Sequence, residues 1–204
     1  QVGVIQWARK YGDDGSSGSR DYDYTPTGIK VDHLGNVIVV GYKNKVRNNT
    51  SGELPDNLYI KWNGDAKLVT STSLFTSPTV NDTEIIRDLA IDRGGNVYVA
   101  GNFTGTITSG TKTITSDTSV QEVFAARIEG DGNIKWLEKM NTGGEESDPS
   151  LHIGESYEDL YIAFNSKSGS DQKIYLNRYT SYDFHADWSK TITNTDFGTF
   201  TTKP

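Results

Sequence analysis

Residues 31–41 read VDHLGNVIVVG, and residues 91–101 read IDRGGNVYVAG. Asp, Gly, Asn and the closing Gly keep register between the two copies while the residues among them drift. In each copy an alternating segment, GIKVD (28–32) or DLAID (88–92), meets a link, HLGN or RGGN, and continues as an apolar run ending in Gly. Alternation predicts strands, and Gly and Asn tolerate the positive φ that closes a hairpin. Asp32 and Asp92 stand where a carboxylate accepts backbone N–H groups of the turn, with Asn36 and Asn96 beside them, so all four are read as structural turn residues.

Outward from these hairpins the pattern continues. NLYIKWNGDAKLV (57–69) and VFAARIEGDGNIKWLEKM (123–140) each read as strand, Gly-Asp turn, strand, with Asp131 as a further turn residue. A blurred third copy follows, SLHIGESYEDLYIAF (150–164) and then KIYLNRYTSYDFHADWSKTI (173–192), in which Leu160–Phe164 stand where Val37–Gly41 stood. Ahead of all three lies VIQWARKYG (4–12), whose Trp7 takes the place of Trp136 and Trp188; the first repeat carries Leu68 there.

Four-stranded antiparallel units at this period predict an all-β chain of β-propeller blades, each burying its faces against its neighbours. The expected organisation is a single domain, 1–204, with blades at 25–70, 85–140 and 149–192 and a leading strand at 2–10. Trp or Leu of the outer strand packs between blades. Three blades do not close a ring, which points to part of a larger or oligomeric ring: further blades beyond residue 204, two chains joined, or neighbouring chains covering the open faces. The alternative is a two-layer β-sandwich.

These residues resemble the bacterial β-propeller repeats labelled SBBP, whose pattern runs roughly iavD..GNvyv.G and then K.d..G...W. The resemblance is carried by Ile91, Asp92, Gly95, Asn96, Val97, Tyr98, Val99 and Gly101, then Gly132 and Trp136. It covers about three repeats; in the third, Glu155 to Asp159 replace the D-x-x-G-N turn. The resemblance implies a propeller that completes a blade with a strand from the chain start.

Composition narrows the partners. The net charge of -7, with 20 Lys plus Arg spread thinly, offers no basic stripe for phosphates and argues against nucleic acid. No run approaches the roughly 18 apolar residues of a membrane span. Zero Cys removes disulfides and thiolate zinc sites, and the absence of Met at position 1 suggests a processed chain or an excerpt, so a secreted or cell-surface location is expected. N-x-[ST] sequons at Asn48, Asn49, Asn81 and Asn102 would mark exposed loops if glycosylated.

Signals for chemistry are sparse. No catalytic residue and no resident cofactor are assigned; calcium is the one candidate, through Asp13, Asp14, Asp21 and Asp23 in the loop YGDDGSSGSRDYDY (11–24), with solvated acidic turns as the plain alternative. SYDFHADW (181–188) and EGDGNIKW (129–136) partly match the sialidase Asp box, a turn-stabilising pattern. His33, His152 and His185 have unrelated spacings. Arg9, Arg20, Arg47, Arg87, Arg93, Arg127 and Arg178 read as scattered over the repeats rather than equivalent. Tyr22, Tyr24, Tyr42 and Phe103 lie near strand-end loops and could face a ligand.

The expected function is a non-enzymatic secreted or surface module that meets a protein or glycan through loops such as 43–56 and 102–121. One alternative is a structural subunit that self-associates through open blades. The other is a sialidase-, lyase- or lactonase-like enzyme, whose carboxylates and arginines would have to converge on an axial pocket.

Overall fold

The computed structural model describes residues 8, 10–11, 22–45, 56–78, 82–117, 120–154 and 159–193, and among them every regular element is a β-strand. A first sheet takes β1 (Tyr22–Val31), β2 (Val37–Lys45), β3 (Asp56–Trp62) and β4 (Leu68–Thr72) in chain order. Next come β5 (Glu84–Ile91) and β6 (Val97–Phe103), a small hairpin of β7 (Thr106–Ser109) and β8 (Lys112–Thr115), then β9 (Glu122–Ile128) and β10 (Ile134–Met140). In the second sheet β6 pairs directly with β9, so the β7–β8 hairpin is an insertion within it. The third sheet takes β11 (Glu145–Ile153), β12 (Asp159–Ser168), β13 (Asp171–Thr180) and β14 (Ala186–Thr193). All pairings are antiparallel. The all-β expectation holds.

Strand alternation sends successive side chains to opposite faces, and the second sheet uses both for core. Val97, Val99, Phe124, Ala126 and Leu89 pack with Ile38, Val40 and Tyr59 of the first sheet. Tyr98, Val123, Ala125 and Trp136 pack with Leu160, Ile162 and Phe164 of the third. Every residue of β6 and β9 is buried, which is why these strands read as nearly continuous apolar runs. The faces meet in one sense: Ile38 of the first sheet and Tyr98 of the second, equivalent in the two copies, both point toward the following sheet. Val39 pairs with Ile29 and Ile60, and Val99 with Leu89 and Ala126, so the two valines hold matching places in successive sheets.

Register carries the repeat further than residue identity does. The first strand of each sheet is bulged at one place: between Pro26 and Gly28, between Ile86 and Asp88, and between Ser147 and Ser150. The last pairing is bulged too, setting Trp136 opposite Arg127 and Trp188 opposite Arg178. In the first sheet that position, opposite Lys61, belongs to Thr70; Leu68 lies opposite Trp62 instead, which corrects the alignment of Leu68 with the tryptophans.

Three further expectations change. Trp136 is 5% exposed between sheets, whereas Trp188 on the outward face of the third sheet is 40% exposed. Segment 102–121 is not an open loop: Phe103 and Ile107 are fully buried in the core, and Thr76 and Thr108 exchange backbone hydrogen bonds of 2.9 Å that bind the inserted hairpin to the link between sheets. The alternation in TITSGTKTIT (106–115) is what makes this a hairpin. Of the leading strand expected at 2–10, only Ala8 and Lys10 fall among the described residues, and neither is in a strand.

Candidate functional site

On the face of the second sheet that meets the third, Tyr98, Arg127 and Trp136 form one row across β6, β9 and β10. The turn between β13 and β14 sits on this row. Thr180 N donates to His185 O at 2.8 Å and Phe184 N to Thr180 O at 3.1 Å, a closure that holds Phe184 at φ 59°. Its ring stacks on Tyr179 at 4.1 Å and lies 4.6 Å from Trp136, which fixes the turn against the core. The turn carbonyls then meet donors of the row: Trp136 Nε1 donates to Ser181 O and Arg127 Nη1 to Tyr182 O, both at 3.2 Å.

This seat leaves a cleft of about 480 Å³ lined by Asp92, Tyr98, Arg127, Tyr182 and Asp183, among others. Arg127 lies between the rings of Tyr98 and Tyr182, at 5.9 and 5.1 Å, and Lys135 Nζ lies 5.1 Å from Tyr182. Tyr182 is 63% exposed. Tyr98 OH donates to Asp92 Oδ2 at 3.1 Å; burial, with the charge and hydrogen bond of Asp92, pushes the phenol up to about 12, against the lowering effect of Ser181 and Arg127. Asp183 accepts from Thr180 Oγ1 and from His185 N, and these bonds hold its carboxyl below the usual value. Fixed hydroxyls, carboxylates, a guanidinium and an open aromatic ring suit a hydroxyl-rich or peptide-like ligand.

The turn residues have local work. Asp32 Oδ1 accepts from Leu34 N at 2.9 Å and Asn36 N at 2.8 Å, while Oδ2 accepts from Asn36 Nδ2 at 2.7 Å. Burial alone would raise the Asp32 carboxyl, but these bonds outweigh it and hold the pKa low. Asp92 accepts likewise from Asn96 N at 2.9 Å and Nδ2 at 2.8 Å, and Asp131 from Asn133 N and Nδ2. Gly35 and Gly95, at φ 78° and 79°, complete the two matching turns.

Buried acids recur at the sheet junctions. Glu84 and Glu146 lie at equivalent places, opposite Phe103 and Ser166. Each carries a raised pKa, Glu84 to about 8 through burial and the nearby Asp56 and Asp82, Glu146 through burial and Glu122. Each has one buried carboxyl oxygen without a hydrogen bond. Lysines balance the partners: Lys43 Nζ lies 2.9 Å from Asp56, and Lys139 Nζ 3.3 Å from Glu122.

Arg127 and Arg178 are equivalent after all, opposite Tyr98 and Tyr161; the β7–β8 insertion changes the spacing within one repeat and hid this from the sequence. The sequence motifs mark neither Tyr98 nor Tyr182 as part of a site, although the recurrence of Tyr98 as Tyr161 is a signal for the first. Phe103 is core rather than ligand-facing, while Tyr22 and Tyr24 lie 6.3 Å apart, with Tyr11 against Tyr24 at 5.3 Å. Asn102, the one sequon asparagine among the described residues, is a buried strand residue, its amide donating to Glu146 O at 3.3 Å and accepting from Arg87 Nε at 3.2 Å. Of the calcium candidates, Asp23 is an exposed residue of β1, and Asp13, Asp14 and Asp21 lie outside the described residues. Among the described residues no group of three His, Asp or Glu side chains is placed to hold a metal ion, and no helix is long and apolar enough to cross a membrane. Neither a family model nor a curated protein matches the chain.

Proposed function

We propose that the chain is a partial β-propeller of SBBP-like repeats, in which the three sheets are blades, and that it serves as a non-enzymatic module of a secreted or cell-surface protein. It meets a protein or glycan at its turn end. The observation that carries this reading is the cleft of Asp92, Tyr98, Arg127 and Tyr182, where a 63% exposed ring stands beside fixed polar groups on a scaffold buried from both sides. The one-way stacking of equivalent faces supports the blade organisation. The rival enzyme reading would need carboxylates free to act on a substrate, and the two in the cleft are already engaged: Asp92 accepts from Asn96 and Tyr98, and Asp183 from Thr180 and His185.

Probing immobilised glycans and extracellular proteins with the purified chain tests the module reading. Binding that disappears in Tyr182→Ala, with the melting temperature unchanged, is the expected result. Turnover of a glycoside, or binding indifferent to every change in the cleft, would overturn it.

A further inference from the structure

The third sheet repeats the seat of the second, and among the described residues no further sheet lies against it. Tyr98, Arg127 and Trp136 recur as Tyr161, Arg178 and Trp188 at the same register. Ala100 recurs as Ala163, and Asn102 as Asn165. Gln121, beside Glu122, recurs as Gln172 beside Lys173, since Glu122 pairs with Phe103 as Lys173 pairs with Ser166. In the second sheet these residues engage the third. Besides the turn contacts of Arg127 and Trp136, Asn102 Nδ2 and Gln121 Nε2 donate to Glu146 O at 3.3 and 3.2 Å, and Glu146 N donates to Gln121 O at 3.0 Å. In the third sheet Asn165 and Gln172 instead border a cavity of about 440 Å³ floored by Ile174 and Ile192.

The opposite end of the stack exposes the complementary surface. Ile29 and Val31 are equivalent to Leu89 and Ile91, which face the first sheet from the second. Ile29 is 64% exposed and Val31 61%, whereas Leu89 is 1% exposed; on the other end Ile174 is 38% exposed, whereas its equivalent Val123 is fully buried. Farther across the first face Leu58 and Ile60 are already buried, and Tyr11 lies edge-on to Trp62, so the open part is the β1 side. Each end therefore shows the half of an interface that the molecule builds internally.

We propose that a second copy of this chain seats the β1 side of its first sheet on the outward face of the third, a head-to-tail contact centred on Trp188, Arg178 and Ile174 on one side and Ile29 and Val31 on the other. This rests on the blade reading above. Arg178 is fixed by ion pairs with Asp159 at 2.7 Å and Asp187 at 3.1 Å. A heterologous contact of this kind closes a ring or propagates, according to the rotation per copy.

Light scattering on the full chain and on two variants, Trp188→Glu and Ile29→Lys, tests the proposal. The wild type is expected to rise to at least twice the monomer mass with concentration, each variant to remain monomeric, and an equimolar mixture of the two variants to recover a dimer, because one retains a sound front face and the other a sound back face. Association of Ile29→Lys alone would mean a back-to-back contact and would overturn the proposal. So would a monomeric wild type, including one in which acrylamide fails to quench Trp188 because another part of the chain covers it. The blade reading is tested apart from this by Trp136→Ala, which lowers the melting temperature if the second and third sheets stack, whatever the oligomeric state.

Discussion

Arg127 of the second sheet donates to the backbone carbonyl of Tyr182, 55 residues on, at 3.2 Å, and the ring of that same tyrosine stands over its guanidinium. One side chain thus ties the turn of the third sheet to the middle of the second. Because Arg127 is 7% exposed, this bond is less screened by salt than one at the surface.

Replacing Arg127 with Met keeps most of the apolar stem and removes the donors. The expected loss is about 1–3 kcal/mol of stability, because the Tyr182 carbonyl and the row lose a charge-assisted partner. Hydrogen exchange should quicken at residues 181–185 and leave β6 protected. Unchanged exchange in that turn would refute the anchoring role.

Trp136→Ala removes a ring that is 5% exposed, packs on Phe184 at 4.6 Å and donates to Ser181 O. Truncating a buried aromatic of this kind costs about 3–5 kcal/mol. Trp188→Ala, at the equivalent but 40% exposed position, is expected to cost under about 1 kcal/mol in the monomer. Urea denaturation of the two variants side by side checks the contrast.

The acid pairs set the response to pH. Burial and the neighbouring carboxylates raise Glu84 from 4.5 to about 8, so the folded state holds a proton that the unfolded chain releases. The stability linked to that proton is full below about pH 4.5 and is lost as pH climbs toward 8. Glu146 is raised also and acts in the same direction. Glu84→Gln, neutral at every pH, should flatten this decline and exceed the wild type by roughly 1–3 kcal/mol near pH 8.5. Denaturation midpoints between pH 5 and 9 that do not fall in the wild type would contradict the buried, protonated state.

Strand order, hairpins and the repeat were legible because they rest on local signals: alternation, turn residues and the paired Asp and Asn. What escaped was register. The last-strand bulge is common to the first two sheets, and counted from the Gly-Asp turn Thr70 stands where Trp136 does; matching an apolar residue to the tryptophan is what puts Leu68 there instead. The insertion of β7 and β8 broke the spacing that would have aligned Arg127 with Arg178. The cleft depends on both, since its ring, cation and carboxylates come from two sheets whose contact is set by tertiary packing.

The closing glycines of the two matching motifs show how much a register feature can dictate. In both sheets the first-strand bulge lies opposite the glycine and brings backbone over it: a Cβ at Gly101 would collide with the Ile85 carbonyl and come within 2.7 Å of Phe124 Cε1, and one at Gly41 would collide with the Thr25 carbonyl and come within 2.9 Å of Pro26 Cα. The third sheet also has one extra residue here, but the pairing is interrupted on both strands: Asp148, at φ 52°, and Pro149 stand opposite the single unpaired Phe164, the equivalent residue, which is 2% exposed in the core. Where the residue stays paired beneath the bulge it must be glycine; where it is unpaired, a ring fits. Gly101→Ala is therefore expected to cost about 2–4 kcal/mol, as overpacking against backbone that cannot retreat. Gly41→Ala should cost somewhat less, since the first sheet is covered on fewer sides. Phe164→Ala should cost a similar 3–5 kcal/mol by the opposite route, a cavity of about one ring. Thermal melts of the three variants decide it: if Gly101→Ala melts with the wild type, the bulge does not explain why the motif ends in glycine.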